Sequence, residues 1–342
     1  MTFYKQLSKS GRKRIFLNEC LLPSFQLYIS GNLWIILQKI NYTGDVKISD
    51  ILNSGKVTVS CELFPPKHGS GLAEAKSLVS QIAALGPSFI SITCGAGGKT
   101  KGNTVSLADE VQNEAGITAL AHLTCISSER NSIREVLEEL ASRKVENILA
   151  LRGDMPSGSL SQVDSGAGGQ SFPQDYIYAC DLMHEIREHG GFCIGGACYP
   201  EGHPEADSLQ KDVESLKIKV DSGCQFFTTQ MFFDNNVLYH FLYRLLHNGI
   251  EVPVIAGIMP VTDGKQISRI CKLSGTVLPG RFRAIVEKFS ANPAAMNQAG
   301  VAYATEQIID LIANDVRNIH IYTMNKPDIA GRIMKNLSEI FK

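Results

Sequence analysis

The sequence carries almost no surplus charge: 33 Lys and Arg stand against 34 Asp and Glu, a formal net charge of −1 over 342 residues. So balanced a chain sets up no long-range field, and neither nucleic acid nor an anionic membrane surface is an expected partner. It also lacks any C-x-x-C pair, although nine cysteines are present. Positions 61, 94, 125, 193 and 198 fall in apolar, strand-like runs. That usage suits small buried hydrophobes in a reducing, cytoplasmic setting better than a disulfide framework, and no metal site is expected. No uninterrupted run of about 18 apolar residues exists for a membrane span. The stretch from Ile15 to Ile40 is broken by Asn18, Glu19, Pro23, Ser24, Gln26, Ser30, Asn32 and Gln38, and it lacks the cleavage pattern of a signal peptide. Residues 1–46 therefore read as an N-terminal extension, poorly packed or a start-site artefact, with the domain proper over 47–342.

Nucleotide fingerprints are missing too. Thr93-Cys94-Gly95-Ala96-Gly97-Gly98-Lys99-Thr100 looks like a phosphate-binding loop, but Thr93 stands where the first glycine belongs. No G-x-G-x-x-G opens a helix after a strand, so a dinucleotide-binding open sheet is not indicated.

What is present is a rhythm. From Val57 onward, short β-branched runs alternate with longer amphipathic stretches. The strand candidates are Val57–Phe64, Phe89–Cys94, Thr118–Cys125, Asn147–Leu151, Phe192–Tyr199, Phe226–Met231, Val252–Ile258 and Asn318–Tyr322. Several are almost wholly apolar, as strands covered on both faces must be. Helical spacing marks Leu72–Leu85, Asn103–Glu114, Glu129–Arg143, Asp175–His189, Leu209–Ser222, Asn235–Asn248 and Lys265–Leu273. Arg281–Phe289 and Ala294–Asn314 add two helices before the last strand, and Ile329–Phe341 follows it. Eight right-handed βαβ units with no dividing linker predict a single-domain (β/α)8 TIM barrel. The Gly/Ser-rich run 157–169 reads as a long βα loop over an active site.

In such a barrel chemistry collects at the carboxyl ends of the strands. Glu62, Thr93, His122, Arg152, Asp154, His203 and Gln230 all fall there. Alone, a strand histidine such as His122 is more often a satisfied core residue. Glu62 differs: a carboxyl between Cys61 and Leu63 is costly to bury, and an apolar wall raises its pKa towards the range of a general acid at neutral pH.

Five ordered motifs carry a family resemblance: Glu62-Leu63-Phe64-Pro65-Pro66-Lys67, His122-Leu123-Thr124-Cys125, Ala150-Leu151-Arg152-Gly153-Asp154, Tyr199-Pro200-Glu201-Gly202-His203-Pro204-Glu205-Ala206 and Gln230-Met231-Phe232-Phe233-Asp234. From about Ile48 onward the chain resembles methylenetetrahydrofolate reductase, in a short form consisting of the barrel alone. The resemblance implies an FAD flavoprotein oxidoreductase of one-carbon metabolism and methionine biosynthesis. It would pass a hydride from NADH or NADPH to 5,10-methylenetetrahydrofolate in a ping-pong cycle. It implies Glu62 as the general acid and Asp154 as a carboxylate beside flavin and pterin. Folate contacts would come from Asp154, Gln230, Gln266 and Lys326, the last standing where an arginine is common. Flavin contacts would come from Ala96, His122, Arg152, Gly153, Asp154, Ala179, Tyr199, His203, Ala206, Asp212 and Lys219, with Thr93 near the nicotinamide. Arg152 and Lys219 would complement the pyrophosphate. The chain departs from the family pattern at Cys94, Ser215, Ile218 and Ile270. The resemblance further implies a homo-oligomer, with electrons from a partner protein, or a non-redox pterin-binding methyl-transfer domain, as the alternatives to direct nicotinamide reduction.

Overall fold

In the computed structural model eight short strands, every one parallel to its neighbours, close into a barrel in the order β1 to β8. They are β1 Thr58–Leu63, β2 Phe89–Ile92, β3 Ala119–Thr124, β4 Asn147–Leu151, β5 Cys193–Cys198, β6 Phe226–Thr229, β7 Val254–Ile258 and β8 Asn318–Ile321. The described residues are 46–66, 71–94, 101–154 and 175–341, and they belong to a compact unit, Gly44–Lys342. The extension 1–45, Lys67, Ala96 with the rest of the phosphate-loop-like run from Gly95, and the loop 157–169 lie outside them.

The strands form because both their faces find cover. Val59, Cys61 and Leu63 of β1 point outward into the layer between sheet and helices, and Thr58, Ser60 and Glu62 point inward. The helices are α1 Ile48–Leu52, α2 Leu72–Ala83, α3 Lys101–Asp109, α4 Arg130–Ser142, α5 Ala179–His189, α6 Leu209–Asp221, α7 Asn235–His247, α8 Gly264–Ser274, α9 Gly280–Phe289, α10 Pro293–Ala313 and α11 Pro327–Asn336, and those from α2 onward form the outer layer. On α4 the buried residues are Ile133, Leu137 and Leu140, one stripe of a 3.6-residue repeat. Each such side chain contributes roughly 1.5–3 kcal/mol by leaving water. The two extra helices before the last strand, α9 and α10, are present as the sequence predicts.

Three boundaries differ from expectation for local reasons. The helix predicted from Asp175 starts at Ala179, because the Asp181 carboxylate takes the N–H groups of Ile177 and Tyr178, both at 2.8 Å, and holds Tyr178 extended. The stretch 110–114 continues α3 as a π-turn. The last helix begins two residues early, on Pro327 at its first turn, where proline's fixed φ is already helical.

The helix α1 is not apparent from periodicity, being five residues long. It plugs the amino-terminal end of the barrel: Ile48 and Leu52 pack with Phe89, Leu120, Leu149, Cys193, Phe226 and Ile255. Asn147 ties it in, accepting from the Ile48 N–H at 2.9 Å. At the opposite, carboxyl end no described helix packs into the barrel as α1 does.

Candidate active site

Height inside the barrel follows from the register. Partners such as Ser60 with Phe89, Ala121 with Ile148, Gly195 with Phe226 and Cys61 with Ile321 stagger each strand against the next. With the shear of about eight that an eight-stranded barrel adopts, inward residues of alternate strands share a level, four to a layer. Ser60, Leu120, Gly195 and Ile255 form one layer. Ser91, Leu149, Thr228 and His320 form the next. Above them lie Glu62, His122, Ala197 and Gly257, and then Thr93, Leu151, Gln230 and Tyr322 at the mouth.

Glu62 therefore sits one layer below the rim, beside His122 and across from Ala197, whose small side chain leaves room. Its side of β1 is 6% exposed, and burial raises its pKa from the ordinary carboxyl range to about 8. Burial also lowers His122 to about 4 and His320 to about 3, His122 adding to the depression of His320. Both imidazoles are neutral at pH 7, so no cation beside Glu62 pulls its proton away.

Neighbouring loops aim this carboxyl. Thr323 donates its hydroxyl to the Glu62 carbonyl at 2.6 Å, and Asn325 grips Phe64 through both backbone groups, at 2.8 and 3.0 Å. Tyr322 reaches across to the Thr229 carbonyl at 2.6 Å. It passes over Gly257, where a Cβ would lie 2.6 Å from both the Thr229 oxygen and the tyrosine ring. Glycine is required there by space. Glu62 and Tyr199 both act through space on Tyr322, and Asp154 and Arg152 act on Tyr199.

Asp154 is exposed on the loop after β4. It follows Gly153, whose φ of +84° and close approach to Thr124, 3.0 Å for a notional Cβ, make that turn a glycine position. Arg152 forks onto Glu205 at 2.6 and 2.8 Å, so its charge already has a partner on the rim. Lys219 on α6 is different. Its ammonium donates to the Ala197 carbonyl at 2.8 Å, and burial lowers its pKa against the upward pull of Cys198, Cys224 and Asp212. Asp212 is itself buried, with its pKa raised by burial and held back by the His203 N–H. Tyr199 and His203 meet edge to face, centroids 4.6 Å apart, and Ala206 closes that turn by donating to the His203 carbonyl at 2.9 Å. Ala179 is buried at the start of α5.

Thr93 lies just past β2, its carbonyl held by the Thr104 hydroxyl at 2.9 Å. The side-chain oxygen of Gln230 accepts from the Met231 N–H at 2.9 Å. Gln266 is exposed on α8, and Lys326, exposed at the start of α11, donates to Thr262 at 2.8 Å. Every described residue of the predicted set except those on helices stands at a carboxyl-terminal strand end. Sequence reasoning missed Ser60, His320, Tyr322, Asn325 and Glu205. The first three share inward parity with Glu62 or with one another at spacing two, the signal that marks them. A groove of about 440 Å³ opens at the opposite end of the barrel, near Lys56, Glu251 and Arg317, and contains none of these groups.

A parallel barrel with ionisable groups gathered at its carboxyl-terminal mouth defines a (β/α)8 enzyme-type scaffold. The family model for methylenetetrahydrofolate reductase matches residues 47–338, and the chain belongs to that family. It is 34% identical over 307 residues to methylenetetrahydrofolate reductase (NADH) 1 of Arabidopsis thaliana, covering 86% of this chain and 50% of that protein. It is 31% identical to 5,10-methylenetetrahydrofolate reductase of Pectobacterium carotovorum, over 83% of this chain and 91% of that one. The chain thus spans about half the length of the plant relatives it matches. A solved structure of a Clostridium thermocellum protein described as binding two copies of 5-methyl-5,6,7,8-tetrahydrofolic acid superposes with a TM-score of 0.57. At 16% identity, covering 86% of this chain and all of that one, it shares the fold.

Proposed function

We propose that the chain reduces 5,10-methylenetetrahydrofolate to 5-methyltetrahydrofolate, with FAD as cofactor, NADH or NADPH as hydride donor, and Glu62 as the general acid. The observation that carries this reading is Glu62 itself, a buried carboxyl held protonated at neutral pH one layer beneath the carboxyl-terminal rim. Family membership supplies the substrate class.

The residues present suit a flavin. Lys219 offers a half-buried ammonium bonded to the Ala197 carbonyl, fit for a pyrophosphate oxygen. Gly153, which has no Cβ to press on Thr124 and Ile126, sets the turn of the loop after β4, and the buried Nε2 of His122, which has no partner among the described residues, suits a polar ring edge. Arg152, oriented by Glu205, with Ala179, Tyr199, His203, Ala206 and Asp212 would complete the cradle. The flavin, when bound, supplies the hydride chemistry. Asp154 would bond the pterin, while Gln230, Gln266 and Lys326 contact the rest of the folate and Thr93 the nicotinamide.

The protein's own step is a proton transfer. Glu62 gives its proton to a bridging nitrogen of the substrate as the carbon–nitrogen bond of the five-membered ring opens, the bonding pair passing to that nitrogen. The one-carbon unit is left as an iminium ready to accept hydride. A neutral acid suits this direction, and the resulting carboxylate suits the reverse.

The test is Glu62→Gln, followed as two half-reactions under anaerobic conditions. Flavin bleaching by NADH or NADPH persists, while reoxidation by methylenetetrahydrofolate slows by about 10²- to 10⁴-fold, the usual worth of a positioned acid. Equal loss in both halves defeats the assignment. A protein that purifies colourless, or that is bleached by neither nicotinamide, defeats the flavin and donor parts.

A further inference from the structure

Directly beneath Glu62 the barrel is polar where a packed core is expected. Three of the four side chains in that layer are Ser91, Thr228 and His320, on β2, β6 and β8, with Leu149 the fourth. β2 and β6 lie four strands apart, so Ser91 and Thr228 face each other across the barrel axis. Both are buried, at 1% and 8% exposure, and neither hydroxyl has a partner among the described residues. Two orphaned hydroxyls in one interior layer destabilise the fold unless something bonds to them.

The space has a floor and a fixed wall. Below, Phe89, Phe226, Leu120 and Ile255 with the α1 plug form an apolar seal. At one side His320 is pinned: its Nδ1 lies 2.8 Å from the Ser60 hydroxyl, which is also 3.2 Å from the Ile319 carbonyl. One hydroxyl proton with two acceptors in reach accommodates either imidazole tautomer. The ring's Nε2 edge, directed away from Ser60, can therefore act as donor or acceptor towards the axis. Tyr322 stands edge-on to this ring, centroids 5.1 Å apart. Above, His122 presents its own unpartnered Nε2.

We propose that the layer formed by Ser91, Thr228 and His320 holds ordered water beneath Glu62, and that this water hydrogen-bonds the Glu62 carboxyl and steadies its ionised form. A site with polar groups on several sides and an apolar floor offers the two to four partners that a buried water requires. His320, fixed by Ser60, is a positioning residue that orients the water. The other titratable groups facing Glu62 are His122 on β3 and, at the mouth, Tyr322 and Tyr199; Cys61 and Cys198 face the outer layer. All are neutral at pH 7, so water is the group left to solvate a carboxylate there. The inference rests on Glu62 being the acid.

The discriminating variant is the near-isosteric double substitution Ser91→Ala with Thr228→Val, read by the pH dependence of folate-driven flavin reoxidation and by thermal unfolding. If water is bound, the pH midpoint rises by about one unit, a tenfold change in proton affinity, because the carboxylate loses its hydrogen-bonded support. If the layer is dry, removing two unsatisfied hydroxyls raises Tm and leaves the midpoint in place, which overturns the proposal. His320→Asn, which keeps a polar edge, restores part of the shift produced by His320→Phe; an unshifted His320→Phe overturns the positioning role. A crystal structure of the unsubstituted protein with no density between Ser91 and Thr228 also overturns it. Glu62→Gln run alongside separates the two claims. If its pH step survives, the acid assignment falls; if the step vanishes yet ignores the double variant, the layer's water alone falls.

Discussion

Glu62 is held in a form that burial prefers, and the protein's stability records that preference. Its folded pKa, about 8, lies above the ordinary carboxyl value of 4.5. The folded state therefore binds more protons than the unfolded state between these values, and stability falls as pH rises through that window. Glu62→Gln removes the titration. Its Tm advantage over the unsubstituted protein is expected to be small at pH 5 and to grow towards pH 8, where the difference is on the order of 4 kcal/mol. A Tm difference that stays flat across that range contradicts the burial. The histidines act oppositely: with pKa values lowered to about 4 and 3, His122 and His320 withdraw stability as pH drops below 6.5. At this scale Glu62 was legible in sequence because an acid inside an apolar strand is conspicuous. His320 was not: Asn318 to Tyr322 reads as an ordinary last strand until the register sets it beside Ser60.

Among the elements, α10 shows how helix and barrel meet. Asn292 caps its start by accepting from the Ala295 N–H at 3.2 Å, and Pro293 opens the first turn. Gly300 lies against the loop after β7 so closely that a Cβ would stand 1.9 Å from the Val261 carbonyl oxygen. Backbone cannot yield there as a flexible side chain would. Gly300→Ala is expected to lower stability by more than 2 kcal/mol, against the modest gain alanine brings at an ordinary helical glycine; chemical denaturation measures it, and an unchanged midpoint contradicts the contact. Asn147→Ala, which strips α1 of its tie to the barrel floor, should cost about 1–3 kcal/mol by the same measurement. Element order and type were legible from periodicity. The ends were not, since Tyr178 stays extended through hydrogen bonds to Asp181 that no periodicity encodes, and α1 is shorter than two turns.

For the molecule as a whole, cysteine usage gives a direct test of packing. The eight cysteines among the described residues are free thiols, and Cys61, Cys125, Cys193, Cys198 and Cys224 are buried. Burial pushes Cys61, Cys125 and Cys224 up to about 12, away from the thiolate form that reacts. A thiol reagent at pH 8 should therefore reach the half-buried Cys94, Cys180 and Cys271 in the native protein, Cys180 and Cys271 more slowly because burial raises their pKa values as well. The five buried sites should appear only on denaturation; rapid native labelling of Cys61 or Cys198 would contradict the sealed outer layer. Among the described residues no helix is long and apolar enough to cross a membrane. Barrel closure was legible from eight repeated units, whereas the polar interior beneath the mouth emerges only from the stagger of the strands.

The grip of Asn325 on Phe64 joins positions 261 apart in the chain. A ribosome releases the first strand long before the last, so the surroundings of Glu62 are complete only once the eighth strand docks. Until then the inner face of β1 lacks its neighbour, and the burial that raises the Glu62 pKa waits on a contact between the two most distant strands of the barrel.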